Sequence, residues 1–209
     1  MRKTARRDDI RDLILDAVDT LLAKFGYRKM TMEDVAREVG IGKGTIYLHF
    51  PGKEELILSS IDRVAERLVV KLREIGGSSD SPDRRLRKML VLRVLFRFDS
   101  VAHHSRNLGD ILSLMRTSFI SRLETHFENE AAVLEEVLRD GARSGALDCP
   151  DPRETSRVLI QSTNALLPFN LSSRELGRRE ELEGQVIRIA DLLIKGLLPC
   201  PSRPASWTR

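Results

Sequence analysis

The stretch that most restricts what this chain can fold into is residues 31–56, TMEDVAREVGIGKGTIYLHFPGKEEL. It holds two short runs of helix-forming residues on either side of Gly40. Thr31 is placed to cap the first run, with Asp34 at the third helical position, where a carboxylate can reach back to the cap. Gly40 suits a left-handed turn, in which a β-carbon would clash. Two short helices joined by about three residues cross steeply. Such a crossing needs a small residue where the backbones approach and apolar residues that lock the second helix. Ala36 and Ile46 fit those places, and Val35, Val39, Ile41 and Phe50 complete a small core. The second run is a poor choice for helix stability alone, because Gly44 costs roughly 1 kcal/mol relative to alanine.

The rest of the chain reads as helix. Ile10, Leu13, Ile14, Ala17, Val18, Leu21, Leu22 and Phe25 recur at three- and four-residue spacing, and Gly26 is placed to end that helix. A long helix is expected from about Lys53 to Ile75, stopped by the loop chemistry of GGSSDSPD. Residues 83–99 are apolar almost all round from Met89 to Phe98, apart from Arg93 and Arg97, which predicts a helix buried on most sides. The apolar steps from Leu108 through Phe127 to Leu138 predict one short and one long helix, ending near Gly141–Gly145. Another should start at Asp151 or Pro152 and run to about Phe169, and a last one should cover about Leu182–Leu198. No strand or repeat is evident. The expected fold class is all-α.

Composition narrows the classes further. Of 209 residues, 41% are hydrophobic and 32% charged, which suits a chain with a core rather than a disordered one. No apolar run approaches the roughly 18 residues that cross a bilayer. The opening MRKTARRDDIRD lacks the apolar middle of a secretory signal. Cys149 and Cys200 lie far apart without metal-ligand spacing, so the expectation is a reduced cytoplasmic protein with no metal and no cofactor. The net charge of +4 says less than its distribution, because positions 2, 3, 6 and 7 are all basic. That arm is either a frayed terminus or an aid to phosphate contact.

With Ile46 and Phe50 pointing inward, the helical period turns Lys43, Gly44, Tyr47 and Leu48 outward. A DNA major groove admits a helix, and a glycine lets the backbone come close. Lys43 can reach a base edge or a phosphate, and Thr45 offers a hydroxyl and a methyl. Tyr47 and His49 can donate to flanking phosphates. Thr31 and Lys53 stand at helix starts, where free N–H groups and the dipole favour an anion. Plainer roles fit the same residues: Tyr47 as a core aromatic, His49 as a helix-terminal cation, Lys43 as a solvated charge.

The 26-residue string as a whole closely resembles the DNA-binding signature of TetR/AcrR-type transcriptional regulators, in detail over about residues 10–57. The resemblance implies an all-α homodimer. Its N-terminal three-helix helix-turn-helix domain would cover residues 1–52, with a basic arm at 1–8. A larger C-terminal helical domain, 53–199, would bind an effector and dimerise, followed by a proline-rich tail at 200–209. The resemblance places the recognition helix on Gly42–Phe50. It carries the phosphate-binding tyrosine, histidine and lysine onto Tyr47, His49 and Lys53, and the capping threonine onto Thr31. Gly42, Lys43, Gly44 and Thr45 complete the expected DNA-contact set. The implied partner is a pseudo-palindromic double-stranded operator, since two-fold proteins read half-sites in successive major grooves.

The C-terminal part carries no specific motif. Val158, Leu159, Ser162, Ala165, Leu166 and Phe169 form one wide apolar band. Val186, Ile187, Ile189, Ala190, Leu193, Ile194, Leu197 and Leu198 form another. Bands broader than about 100° imply contact on two sides, here with the chain's own core and with a second subunit through helices at about 152–169 and 182–198. A small-molecule effector pocket is expected among Phe96, His103, Leu112, Met115, Phe119 and Asn164, although ordinary core packing accounts for the apolar ones as well. Arg93 and Arg97 share a face and either hold an anion or are solvated. Adjacent His103 and His104 point about 100° apart on a helix, a poor arrangement for one metal. The expected function is a repressor released from its operator by an effector; alternatively the C-terminal domain docks a protein partner. An enzyme using Asp99, His103, His104 or His126 finds no support, for there is no nucleophile elbow, phosphate loop or metal spacing.

Overall fold

A computed structural model describes residues 7–102, 115–167 and 178–199. Among these residues the chain is all-α, with eight helices and no strand. They are α1 (Arg7–Lys29), α2 (Met32–Val39), α3 (Lys43–His49), α4 (Lys53–Gly76), α5 (Pro82–Ala102), α6 (Arg116–Arg143), α7 (Pro152–Asn164) and α8 (Arg179–Leu197). The expected short helix near Leu108 lies outside the described residues, as do Phe169, most of the basic arm and the tail. None of the described helices is long and apolar enough to cross a membrane. The chain divides into two compact units: residues 1–67 with 99–124, and residues 68–98 with 125–209.

In the first unit, α1 buries Ile14, Leu15, Ala17, Val18, Leu21 and Leu22. Leu13 and Phe25, expected on the same stripe, are instead 51% and 45% exposed. At 100° per residue Leu13 stands about 120° round from the centre of the buried stripe. Phe25 sits at the end of the stripe, where the helix breaks. Gly26 there takes φ 76° and ψ 168°, and a last turn, Tyr27–Lys29, leaves in a new direction.

Thr31 caps α2 as its spacing predicts. The Asp34 amide donates to Thr31 Oγ1 at 3.1 Å, and the Thr31 amide donates to Asp34 Oδ2 at 3.0 Å. Gly40 ends α2 in the left-handed conformation, φ 74°. Its neighbour Ile41 donates to the Ala36 carbonyl at 3.0 Å, which closes the turn. Met30, Met32, Val35, Ala36, Ile46 and Phe50 are buried, while Val39 and Ile41 are only half-buried.

Charge ties this unit together. Arg63 on α4 is buried, and its Nη atoms donate to Asp16 Oδ1 and Asp19 Oδ2 of α1, each at 2.7 Å. Arg122 on α6 grips the other side of α4, with Glu55 at 2.6 Å and Asp62 as its partners.

The second unit has a core of Leu68, Leu72, Leu86, Met89, Leu90, Leu134, Leu138, Leu159, Ile160 and Ile194, among others. A further cluster joins Val94, Leu95, Phe98, Leu167, Leu182 and Val186. Arg93 and Arg97 lie inside this unit, and neither forms a solvated face. Arg93 Nε donates to Glu130 Oε2 at 2.7 Å, and its two Nη atoms donate to Thr163 and Asn164 at the end of α7, at 2.5 and 2.6 Å. Arg97 binds both oxygens of the same Glu130. The ring of Phe127 lies 5.3 Å from the Arg93 guanidinium and 5.7 Å from that of Arg97. The two arginines are buried because α6 supplies a carboxylate to meet them.

Asp151 caps α7 by accepting from the Glu154 amide at 3.0 Å, with Pro152 as the first helical residue. The helix ends at Asn164, short of the expected Phe169, and α8 starts at Arg179, three residues before the expected Leu182. The bands on these two helices are split. Leu159, Val186, Ala190 and Ile194 are buried, whereas Val158 and Leu192 are 45% and 72% exposed. Leu192 was not on the expected band.

Candidate nucleic-acid interface

Helix α3 is only seven residues long, too short to hold itself in water. Ile46 and Phe50 fix it, both at most 1% exposed. That anchoring sets what the other side presents. Lys43 and Gly44 are exposed, and Tyr47 and Leu48 are 45% and 76% exposed. Thr45 and His49 are half-buried at the margin of this face. Gly42 caps the helix in an extended conformation. A β-carbon on Gly44 would meet nothing within 4 Å, so the bare backbone there faces open space. The helical period places Leu48 outward but assigns it no role. It has the highest exposure among the large apolar side chains described.

Thr31 lies at the start of α2, but its hydroxyl is engaged. It accepts from the Asp34 amide and donates to Asp34 Oδ2 at 2.7 Å. The hydroxyl and the amide of Thr31, both donating to Oδ2, hold the Asp34 carboxyl below its ordinary value. Lys43 is engaged as well, with its Nζ 2.5 Å from Glu33 Oε1 on the first turn of α2. The hydrogen bond and the charge of this pair lower the Glu33 carboxyl and raise the Lys43 ammonium.

Lys53 opens α4, and its Nζ sits 4.3 Å from the centroid of the Tyr27 ring. Partial burial pulls the Lys53 ammonium below its usual value. Burial first, then the Glu54 charge, raises the Tyr27 hydroxyl. Tyr27 and Glu33 were not among the expected site residues. Gly26 was the available signal for Tyr27, since the break at this glycine redirects the turn that carries the ring. At the C-terminal end of α3, the Arg11 guanidinium lies 5.2 Å from the Phe50 ring.

The expected effector residues divide between the units. Met115 and Phe119 are buried on the first-unit part of the chain. Phe96 is half-buried against the second-unit core, and Asn164 accepts from Arg93 there. His103 and Leu112 lie outside the described residues. The second unit also has an open cleft of about 270 Å³ lined by Arg73, Gly76, Gly77, Val133, Glu136, Val137 and Asp140, none of them an expected pocket residue. Among the described residues no group of three His, Cys, Asp or Glu side chains is placed to hold a metal.

Residues 14–59, which span this face and its supports, match the family described as bacterial regulatory proteins, tetR family. The HTH-type transcriptional repressor KstR2 of Rhodococcus jostii is 31% identical over 152 residues, 70% of this chain and 72% of that one. The chain belongs to the TetR/AcrR family of transcriptional regulators. The uncharacterized HTH-type transcriptional regulator YhgD of Bacillus subtilis is 27% identical over 173 residues, 76% of this chain and 83% of its own. A transcriptional regulator from Cytophaga hutchinsonii shares the fold, with a TM-score of 0.75 at 21% identity over 90% of this chain and 98% of that one. This TetR/AcrR protein is therefore a DNA-binding regulator built on a helix-turn-helix, and the names of its relatives are those of regulators rather than enzymes.

Proposed function

We propose that this regulator is a homodimeric repressor that occupies a pseudo-palindromic operator and leaves it when a small molecule binds its larger helical domain. The observation that carries the reading is the outward face of α3. Exposed Lys43, Gly44 and Tyr47 stand on a helix pinned from behind by Ile46 and Phe50. Gly42, Lys43, Gly44 and Thr45 enter the groove in this reading. Thr31, Tyr47, His49 and Lys53 meet phosphates around it, Thr31 through the N-terminus of α2 because its hydroxyl is taken. The domain boundary stays at residue 52, ahead of α4.

The dimer reading draws on α7 and α8. Each buries one side in its own unit while Val158 and Leu192 remain exposed, which suits helices that meet a second copy. The repressor reading draws on the name of KstR2. The effector reading sets the response to the ligand as a shift between two forms of the dimer. By linkage, the effector must bind the DNA-free form more tightly.

The test is selection of duplexes by the purified chain from a randomised pool, followed by affinity measurements across salt. A repressor of this kind enriches an inverted repeat with half-sites about 34–36 Å apart or a multiple of that distance. Sedimentation should give a dimer, and a Val158→Glu, Leu192→Glu variant should be monomeric and bind the repeat poorly. Metabolites that shift the melting temperature should weaken binding to the selected duplex. No enriched duplex, or a monomer that binds as well as the unmodified chain, overturns the reading.

A further inference from the structure

Lys43, the first residue of α3, has its charge met within the protein. Its Nζ lies 2.5 Å from Glu33 Oε1, with the two side chains 54% and 58% exposed. An ammonium carries three N–H donors. One is committed to Glu33, and two are left to point away from α2. From a distance the pair is neutral, so it adds little to attraction by phosphates, which scales with the cationic charge that neutralises them. Close up it does the reverse of weakening Lys43. A free lysine sweeps its ammonium over a wide arc on a flexible four-carbon stem. A tethered one is held against the first turn of α2, at the N-terminal end of the exposed face of α3.

We propose that Glu33 is a positioning residue that holds Lys43 for reading a base edge and keeps it off the phosphates. This rests on the DNA-binding reading above and adds what Lys43 reads. Guanine is the base that suits it, because O6 and N7 are two adjacent acceptors in the major groove and the tethered ammonium has two donors left. Adenine offers N7 beside an N6 donor, and that donor opposes an ammonium. Glu33 also favours α2 by standing in its positive first turn. That role is structural, and it acts on melting temperature rather than on base preference.

The experiment uses the full chain and four forms of it: unmodified, Glu33→Gln, Lys43→Met and the double variant. Each is titrated with the duplex selected by the unmodified chain and with single-base-pair changes of it, over a range of KCl. The unmodified chain should lose roughly tenfold or more in affinity when one G·C pair per half-site is changed. Glu33→Gln should lose most of that preference. Its salt slope should steepen by about 0.9 per recognition helix, as the released ammonium turns to a phosphate. Lys43→Met should lose the preference with no steepening, and the double variant should match Lys43→Met in base preference, because Glu33 acts through Lys43. An unaltered preference and slope in Glu33→Gln overturns the proposal. So does an effect of Glu33→Gln on base preference that persists when Lys43 is already Met. Failure of the unmodified chain to select any duplex is a different result, and it sinks the DNA-binding reading itself.

Discussion

Arg93 and Glu130 meet 2.7 Å apart inside the second unit, with their side chains 0% and 1% exposed. Arg97 shares the same carboxylate. Among the described residues, one negative charge between two positive ones leaves a surplus cation in an apolar core. The Phe127 ring face and the carbonyl end of α7, where Thr163 and Asn164 accept from Arg93, offset part of it. The cluster joins α5, α6 and α7, and Glu130 is its hub. Glu130→Ala would strand two buried guanidiniums, and loss of one partner of a buried pair costs about 3–5 kcal/mol. Urea denaturation should show that loss. Replacing the whole cluster with apolar residues (Arg93→Met, Arg97→Met, Glu130→Leu) should recover most of it, since no charge is then left unpaired.

The same cluster predicts acid sensitivity. Burial alone would raise the Glu130 carboxyl, but Arg97 and Arg93 outweigh it and hold it below its ordinary value. Burial pulls the Arg93 guanidinium down to about 10, which leaves it charged at neutral pH. A carboxyl depressed by folding contributes stability above its unfolded value of about 4.3 and loses it as pH falls through the folded value. Denaturation midpoints measured from pH 7 to pH 3 should therefore drop steeply below about pH 4. The apolar triple variant should drop less over that window. Equal slopes would mean that Glu130 is not what acid titrates.

Local chemistry was legible in the sequence and distant partnership was not. The Thr31 cap, the Gly40 turn and the inward Ile46 all act within a few residues, so spacing alone locates them. The partner of Arg93 lies 37 residues away on another helix. Nothing in the periodicity of α5 distinguishes an arginine that meets a carboxylate from one in water. Glu33 and Tyr27 escaped for the same reason: each works by touching a side chain on a different element, Lys43 or Lys53. The early end of α7 and the exposure of Leu13 and Val158 show a second limit. Apolar character marks a residue that can be buried, and packing decides which ones are.

Two glycines of the helix-turn-helix should respond oppositely to alanine. At neither would a β-carbon meet an atom within 4 Å, so crowding does not enter. Gly40 has φ 74°, and a side chain there costs about 1 kcal/mol or a little more. Gly44 is helical, and Gly44→Ala should stabilise the fold by about 0.5–1 kcal/mol. Its affinity for the selected duplex should nevertheless fall several-fold, as a methyl now stands between backbone and groove. Thermal melts beside fluorescence anisotropy separate the two effects. A Gly44→Ala variant that is more stable and binds equally well would show that the α3 backbone does not approach DNA there.

Lys53 and Tyr27 separate charge from placement. Lys53→Ala removes a cation at the start of α4, so the salt slope of DNA binding should flatten by about 0.9 per subunit. Tyr27→Leu keeps the cation but removes the ring 4.3 Å beneath it. An ammonium on an aromatic face at a partly exposed site gains roughly 0.5–1 kcal/mol. Affinity should therefore fall by no more than about fivefold per subunit, with the salt slope unchanged, because the same number of phosphates is still neutralised. Isotherms at four or five KCl concentrations for the two variants decide it. If Tyr27→Leu flattens the slope as much as Lys53→Ala does, the ring is needed for the phosphate contact to form at all. If Lys53→Ala leaves the slope untouched, Lys53 makes no such contact, and Tyr27 holds an ammonium that never meets DNA.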